Sequence, residues 1–358
     1  MVLNRIVFRL HSLAGICAGL FILLTSLSGS ILVFQEELED LGNPKITMKS
    51  GYPSIGLDSL YRVIRYKFPK AAIYSASLRT DGSRAFPWVM YDSSYREGKE
   101  PLRVYLDPQS ARMIKSEGAG GDWKHNPLAW IAGFHSSFQA GKAGEVLLGV
   151  ISMVLLVSSC TGLYIYRREL FSTLRFRKPP WSAGHLHPAL GAYSLLFILV
   201  MAVSGGWMQR YVFDWAFLRS PAYKQRSFQP SGDLPYGAGK AISQLESRYP
   251  GFKAWVIYFP SSPGGRTAVY GSRSTNSFIH SKKYADAIFL DSAGRISGTR
   301  FVDEIPRSDL YDIINAQIHY GRYGGLFVKM LYSFFGLSVS WLSLTGVILF
   351  FKRIRKPT

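Results

Sequence analysis

Leu10-His-Ser-Leu-Ala-Gly15 opens one long apolar run, and Leu186-His-Pro-Ala-Leu-Gly191 opens another with the same Leu-His-x-x-x-Gly pattern 176 residues later. Ser28-Gly29 meets Ser204-Gly205 at the same offset. Working outward, Lys67-Phe-Pro69 corresponds to Arg248-Tyr-Pro250, and Tyr105-Leu-Asp107 to Phe289-Leu-Asp291. Phe134-His135 corresponds to Ile318-His319, and Thr161-Gly162 to Thr345-Gly346, both offset by 184. A drift of a few residues is what unequal loops produce. Self-similarity at a long, nearly fixed spacing marks a repeated architecture. The chain reads as a tandem duplication of helix, outer segment, histidine and helix.

Four apolar runs, roughly His11–Phe34, Glu145–Tyr166, Pro188–Met208 and Leu326–Phe351, are long enough to cross a hydrocarbon core of about 30 Å at about 1.5 Å per residue. The first is too long for a signal peptide and no A-x-A-like site precedes Gln35, so it reads as an anchor. Aromatic and aliphatic residues abound in the 358-residue chain (47% hydrophobic, 15% aromatic), which excludes disorder. The net charge of +19 invites a nucleic-acid reading until it is located. Eleven basic residues flank the apolar runs: Arg5 and Arg9; Arg167, Arg168, Arg175, Arg177 and Lys178; Lys352, Arg353, Arg355 and Lys356. Only Glu169 opposes them there, which is the positive-inside pattern. Nucleic acid is not a partner on this reading; the bilayer is. Both termini and the loop after Arg167 are expected in the cytoplasm of a multi-pass inner-membrane protein.

The expected organisation follows. Helix one occupies 1–34 and runs outward, and an outer domain follows at 35–133. An outer histidine segment and helix two, running inward, occupy 134–168, and 169–186 is a cytoplasmic loop. Helix three (187–208), a second outer domain (209–315), and a final histidine segment with helix four and tail (316–358) repeat the order. The fold class is a four-helix membrane bundle with two small α+β outer domains. Leu57–Phe68 has helical spacing and stops at Pro69, and β-prone runs follow at Ala72–Leu78, Trp88–Tyr91 and Arg103–Leu106. Ala241–Tyr249 is helical up to Pro250, followed by Ala254–Phe259, Thr267–Tyr270 and Ala285–Leu290.

The duplication sorts the seven histidines. His11 pairs with His187 and His135 with His319, whereas His125, His185 and His280 meet Asp309, Arg9 and Arg96 at the corresponding offsets. Ionisable groups at membrane depth are costly and functional by default. Helices one and three run outward, which places His11 and His187 near the cytoplasmic face. His135 and His319 lie near the outer face, on short segments set off from their spanning helices by Gly141 and Gly144 and by Gly321, Gly324 and Gly325. Two histidines at each of two depths is the arrangement of two bis-histidine b-type haems in a four-helix bundle. From His11 to Gly29 and from His187 to Gly205 is 18 residues, five helical turns, so glycine and histidine share a face and a bulky ring can approach. Small-residue helix packing explains the glycines but not the histidines. A zinc or copper ion would be short of ligands with two imidazoles. Cys17 and Cys160 both lie in apolar runs, and no Cys-x-x-Cys-His is present, so the haem is non-covalent.

The Leu-His-x-x-x-Gly openings, the His-to-Thr161-Gly-Leu-Tyr-Ile-Tyr-Arg-Arg168 run at 135–168 and Val104-Tyr-Leu-Asp-Pro108 resemble the PepSY-associated transmembrane helix family, over essentially the whole chain. The resemblance implies a bacterial inner-membrane protein linked to iron acquisition, with PepSY-like domains in the periplasm. Some members look like siderophore reductases with two b haems, whose ligand positions fall on His11, His187, His135 and His319. Other relatives carry fused flavin and nicotinamide domains, which this chain lacks.

No P-loop or dinucleotide fingerprint is present, and Gly118-Ala-Gly-Gly121 and Gly237-Ala-Gly-Lys240 read as loop fragments. Electrons are therefore expected from a membrane quinol or a separate cytoplasmic reductase. The expected activity is that of a ferric-siderophore reductase: reduction of Fe(III) to Fe(II) weakens its hold on hard oxygen donors and releases the metal for uptake. Two alternatives stand beside it. One is a non-redox sensor or inhibitor whose outer domains bind a peptide or protein; the other is a haem carrier that reduces a periplasmic redox protein.

Overall fold

A continuous apolar run without Pro or internal turn signals can satisfy its backbone in lipid only as a helix. Among the described residues of the computed structural model, four helices have the length and composition to cross a membrane. They are α1 (Val2–Leu32), α5 (Gly141–Tyr166), α6 (Ala183–Met208) and α10 (Gly325–Ile354). The structure describes residues 2–42, 44–45, 55–78, 85–95, 97, 100–168, 183–219, 237–260, 264–273 and 284–355. Helix α1 starts well before His11, because nothing between Val2 and Leu10 breaks a helix. Pro188 sits within the first turns of α6, where a missing N–H is best tolerated.

The helical unit comprises residues 1–35, 131–223 and 315–358. In it α1 packs on α10 and α5, α5 on α6, and α6 on α10, closing a four-membered ring. Its apolar centre is small: Ala18, Ile22, Ile151, Ile198 and Val339, with Phe21, Phe197 and Leu342 against them. The outward faces carry exposed Leu13, Leu20, Met153, Leu196, Phe334 and Leu337, the pattern of a lipid-facing surface. Ser26 and Ser340 hydrogen-bond across α1 and α10 at 2.7 Å, a polar tie between close helices.

Two shorter helices, α4 (Pro127–Ser137) and α9 (Arg307–Tyr320), precede α5 and α10. The reversals between them use left-handed backbone at Phe138, Gln139 and Gly141, and at Gly321 and Gly325. Glycine adopts that conformation without the Cβ clash other residues incur.

The second unit comprises residues 36–130 and 224–314. Helix α2 (Gln35–Gly42) leads into it, and α3 (Leu57–Lys67) and α8 (Ala238–Arg248) are its principal helices. Strands β1 (Ala72–Ser77), β2 (Phe86–Tyr91), β3 (Leu102–Leu106) and β4 (Met113–Gly118) come from the first half of the chain. Strands β5 (Lys253–Tyr258), β6 (Thr267–Ser272), β7 (Asp286–Leu290) and β8 (Ile296–Arg300) come from the second. The order is β4-β3-β2-β1-β5-β6-β7-β8, antiparallel throughout. The two separate outer domains expected from sequence are therefore one sheet, joined where Ser75, Ala76 and Ser77 pair with Tyr258, Ile257 and Val256. Each β1-type strand would otherwise present a row of unpaired N–H and C=O groups, and mutual pairing removes both edges.

Leu60, Tyr61 and Ile64 of α3 and Ala241 and Leu245 of α8 cover one face of the sheet, over Trp88, Val104, Ile257, Val269 and Ile288. The Tyr-Leu-Asp and Phe-Leu-Asp elements have a local explanation. Asp107 accepts from the N–H groups of Gln109 and Ser110, and Asp291 from those of Ala293 and Arg295, so each carboxylate shapes the turn leaving its strand. The Arg295 backbone bond, with the Arg295 side chain and Ala293, holds the Asp291 carboxyl below the usual carboxylate range. Gly237-Ala-Gly-Lys240 is not a loop. Gly237 caps α8, and the Gly239 N–H donates to the Asp58 carboxylate.

Trp88 is fully buried and stacks on Phe259 at 6.0 Å between ring centres. Trp88→Ala should cost the sheet unit about 3–5 kcal/mol by removing this side chain from the core. Lys115→Ala, on edge strand β4, should stay within about 0.5 kcal/mol. Denaturant titration of the detergent-solubilised chain, followed by the far-ultraviolet strand signal, checks both.

Candidate functional site

The helical unit brings four histidines together in two pairs. His11 on α1 and His187 on α6 have ring centres 6.3 Å apart at an interplanar angle of 75°. His135 on α4 and His319 on α9 have centres 6.4 Å apart at 48°. Each pair draws one histidine from each half of the chain. His125 is elsewhere: it is exposed and bonded to the Asp122 carboxylate at 2.8 Å, near the start of α4. The side chain of His185, and all of His280, lie outside the described residues.

Every one of the four rings rests in the same kind of seat, a hydroxyl residue followed by glycine on a neighbouring helix. The Nδ1 of His11 donates to the Ser158 carbonyl at 3.0 Å and reaches the Thr161 hydroxyl at 3.2 Å. The Nδ1 of His135 donates to the Thr25 carbonyl at 3.0 Å and reaches Ser28 Oγ at 3.0 Å. His187 meets Thr345 Oγ1 at 3.0 Å, and His319 meets Ser204 Oγ at 2.9 Å. Each hydroxyl already donates its own proton to a carbonyl one turn back, to Val157, Leu24, Trp341 or Val200. The hydroxyl oxygen is therefore left to accept, and the ring nitrogen facing it carries the proton. Nδ1 is protonated in all four rings, and the lone pair sits on Nε2.

The glycines follow directly. A Cβ at Gly162, Gly29, Gly346 or Gly205 would lie 3.1, 3.0, 3.3 or 3.2 Å from Cε1 of His11, His135, His187 or His319. The 18-residue relation between His11 and Gly29 thus has a meaning different from the one read in the sequence. The ring that approaches Gly29 is His135, and the seat of His11 is on α5. Helix α1 gives a histidine to one level and a seat to the other, as does α6.

The donor set can be tested against a metal. Ring centres 6.3 and 6.4 Å apart are close enough for the two imidazoles of each pair to share one ion. Among the described residues, no group of three or more His, Cys, Asp or Glu side chains gathers that could hold an ion. Two imidazoles alone do not complete the coordination of an ion, so a pair could hold one only in a ligand that brings further donors with it.

Space for such a ligand exists beside the first pair. A cavity of about 410 Å³ is lined by His11, His187 and Ser158. Its wall includes Gly15 and Gly191, one helical turn beyond the histidines on the same helix faces. A Cβ at Gly15 would meet nothing within 4 Å, so that glycine borders open space. Among the described residues Arg353 is the one Lys or Arg in the wall, and its guanidinium stacks on Phe8 at 4.2 Å. Beside the second pair, Asn315 is buried and donates to the Ser204 carbonyl at 3.0 Å, tying α9 to the seat of His319. The sequence reading missed the hydroxyl seats, Arg353 and Asn315. The recurrence of Ser-Gly and Thr-Gly at the duplication offsets was the signal available for the first of these.

No curated protein matches the chain. The family model of the PepSY-associated TM region covers residues 8–353, a span that holds both histidine pairs and the sheet, and the chain belongs to that family.

Proposed function

We propose that this membrane protein is a di-haem electron carrier of the bacterial inner membrane that reduces a ferric siderophore on its outer side. The observation that carries the reading is the double histidine pair: two couples near opposite ends of the spanning helices, each spaced for one metal ion and each presenting Nε2. When bound, b-type haem supplies one-electron transfer at each level. His11 and His187 would hold the inner haem, and His135 and His319 the outer one. Gly15 and Gly191 leave room for a flat ring, and Arg353 would bind its acid groups. The seats keep all four imidazoles neutral and aimed through one nitrogen.

The basic flanks support a topology with both termini inside, and the tandem duplication accounts for the paired seats and for the symmetric strand order. In that topology the sheet lies in the periplasm. The two segments that build it run directly into α4 and α9, which carry the outer histidines. A ferric chelate would take one electron per Fe(III); a quinol, or a separate cytoplasmic reductase, would supply it. Fe(II) binds hard oxygen donors more weakly, so no acid or base from the chain is needed for release.

Purified protein from haem-replete cells should carry about two non-covalent haems with a low-spin reduced b-type spectrum. His11→Ala and His187→Ala should remove the inner haem, and His135→Ala and His319→Ala the outer one, while His125→Ala leaves the spectrum unchanged. A pyridine haemochrome assay that finds no haem ends the proposal. Gly15→Leu should fill the cavity and lower haem content by about one per chain with every ligand still present. The dithionite-reduced protein should be reoxidised by a ferric siderophore in anaerobic stopped flow. If no ferric chelate reoxidises it faster than buffer, while a periplasmic redox protein does, the carrier reading replaces the reductase.

A further inference from the structure

The sheet unit offers aromatic surface and the basic helix ends offer charge, but the feature with the most geometry behind it is the set of four hydroxyl-glycine seats. We infer that Ser28, Thr161, Ser204 and Thr345 are positioning residues that set the reduction potential of the metal each histidine pair holds, acting through the histidine Nδ1 proton. The inference rests on the proposed haem function and deepens it.

Three observations converge. All four seats bring to the ring Nδ1 a hydroxyl oxygen whose own proton is engaged one turn back, and at His11 and His135 a carbonyl of the same helix shares that Nδ1 proton. The rings lie close on the seats, since a Cβ at any of the four glycines would come within 3.0 to 3.3 Å of Cε1. Among the described residues no second hydrogen bond reaches any of the four Nε2 atoms, so the seat alone chooses the ligand nitrogen. An Nδ1–H that donates a hydrogen bond makes its imidazole a stronger electron donor through Nε2. A stronger donor stabilises Fe(III) over Fe(II). The seats therefore hold the potential down, and loss of a seat hydroxyl moves it up.

The two levels also differ. The seats of the His11–His187 pair are threonines and those of the His135–His319 pair are serines. Threonine's extra methyl restricts its χ1, so its hydroxyl has less freedom to turn away than that of serine. This gives the protein separate control of its two centres without a change of ligand.

The test uses the full chain and anaerobic redox titration, read at the reduced haem band. Thr161→Val and Thr345→Val keep the shape and remove the hydroxyl. Each should shift the wave of the inner haem to higher potential. The other wave should stay in place. Thr161→Ser, which keeps a hydroxyl with more rotational freedom, should move the inner wave by less than Thr161→Val does, and Ser28→Ala or Ser204→Ala should move only the outer wave. Retained haem with both waves unmoved in the valine variants overturns the inference. If a valine variant loses its haem, retention by Thr161→Ser supports the seat, and loss by both overturns it. A wild-type chain without haem overturns the proposed function as well. Nitrogen NMR of ¹⁵N-histidine-labelled protein separates the two failures: Nδ1-protonated rings at the four positions keep the seat assignment, and Nε2-protonated rings end it.

Discussion

The hydrogen bond from each histidine Nδ1 into a neighbouring helix is the constraint on which the helical unit depends. An imidazole in a membrane bundle must have its polar atoms met, or it costs several kilocalories per mole. Here each ring meets a hydroxyl whose own proton goes back into its helix, joined at His11 and His135 by a backbone carbonyl of that helix, so the ring is satisfied without leaving a second polar group exposed. The contact also consumes one ring nitrogen and frees the other. Satisfaction of a buried donor and release of the opposite nitrogen's lone pair are the same event.

The wiring of these bonds explains how the bundle is assembled. The seat of His11 is on α5 and that of His135 on α1, so both are made within the first half of the chain. The seats of His187 and His319, on α10 and α6, are made within the second half. The pairs themselves are made across the halves. Each half carries the seats of its own histidines, and each pair takes one histidine from each half. The sheet unit is closed by the same logic, since β1, paired with β2, and β5, paired with β6, each keep one open edge until they meet. Between the two histidine levels the bundle has only a small apolar plug around Ile22, Ile151, Ile198 and Val339. Much of its remaining interior surface is glycine, serine and threonine, which allow close backbone approach and short interhelical bonds.

Several features visible in the chain proved to be structural. The recurring Leu-Asp elements close β-turns, and the helix-ending Pro69 and Pro250 stop α3 and α8 at Lys67 and Arg248. Strands β4 and β8 escaped the sequence reading for a physical reason. They are the two edges of the sheet, and Met-Ile-Lys-Ser-Glu-Gly and Ile-Ser-Gly-Thr-Arg lack the β-branched and aromatic runs that mark central strands. Tyr105 was legible as part of a repeated motif, yet its chemistry was not. Burial pushes its phenol up to about 12, and it donates to Glu117 on the edge strand as a neutral group.

By itself the sequence determined the four spans, because apolar length against bilayer thickness is a local property of the chain. It also determined which histidines belong together, because a repeat offset can be read without coordinates. It did not determine what holds them. The seat hydroxyls lie 107 to 158 residues from the rings they serve, and helix rotation decides which small residue faces which ring. Ser28-Gly29 looked like room for the bulky ring of a cofactor, and only the tertiary structure showed the imidazole of His135 against it. The joining of two expected domains into one sheet was hidden for the same reason. Strand pairing is chosen by whichever unpaired edge comes within reach, and no local pattern in β1 or β5 names its partner.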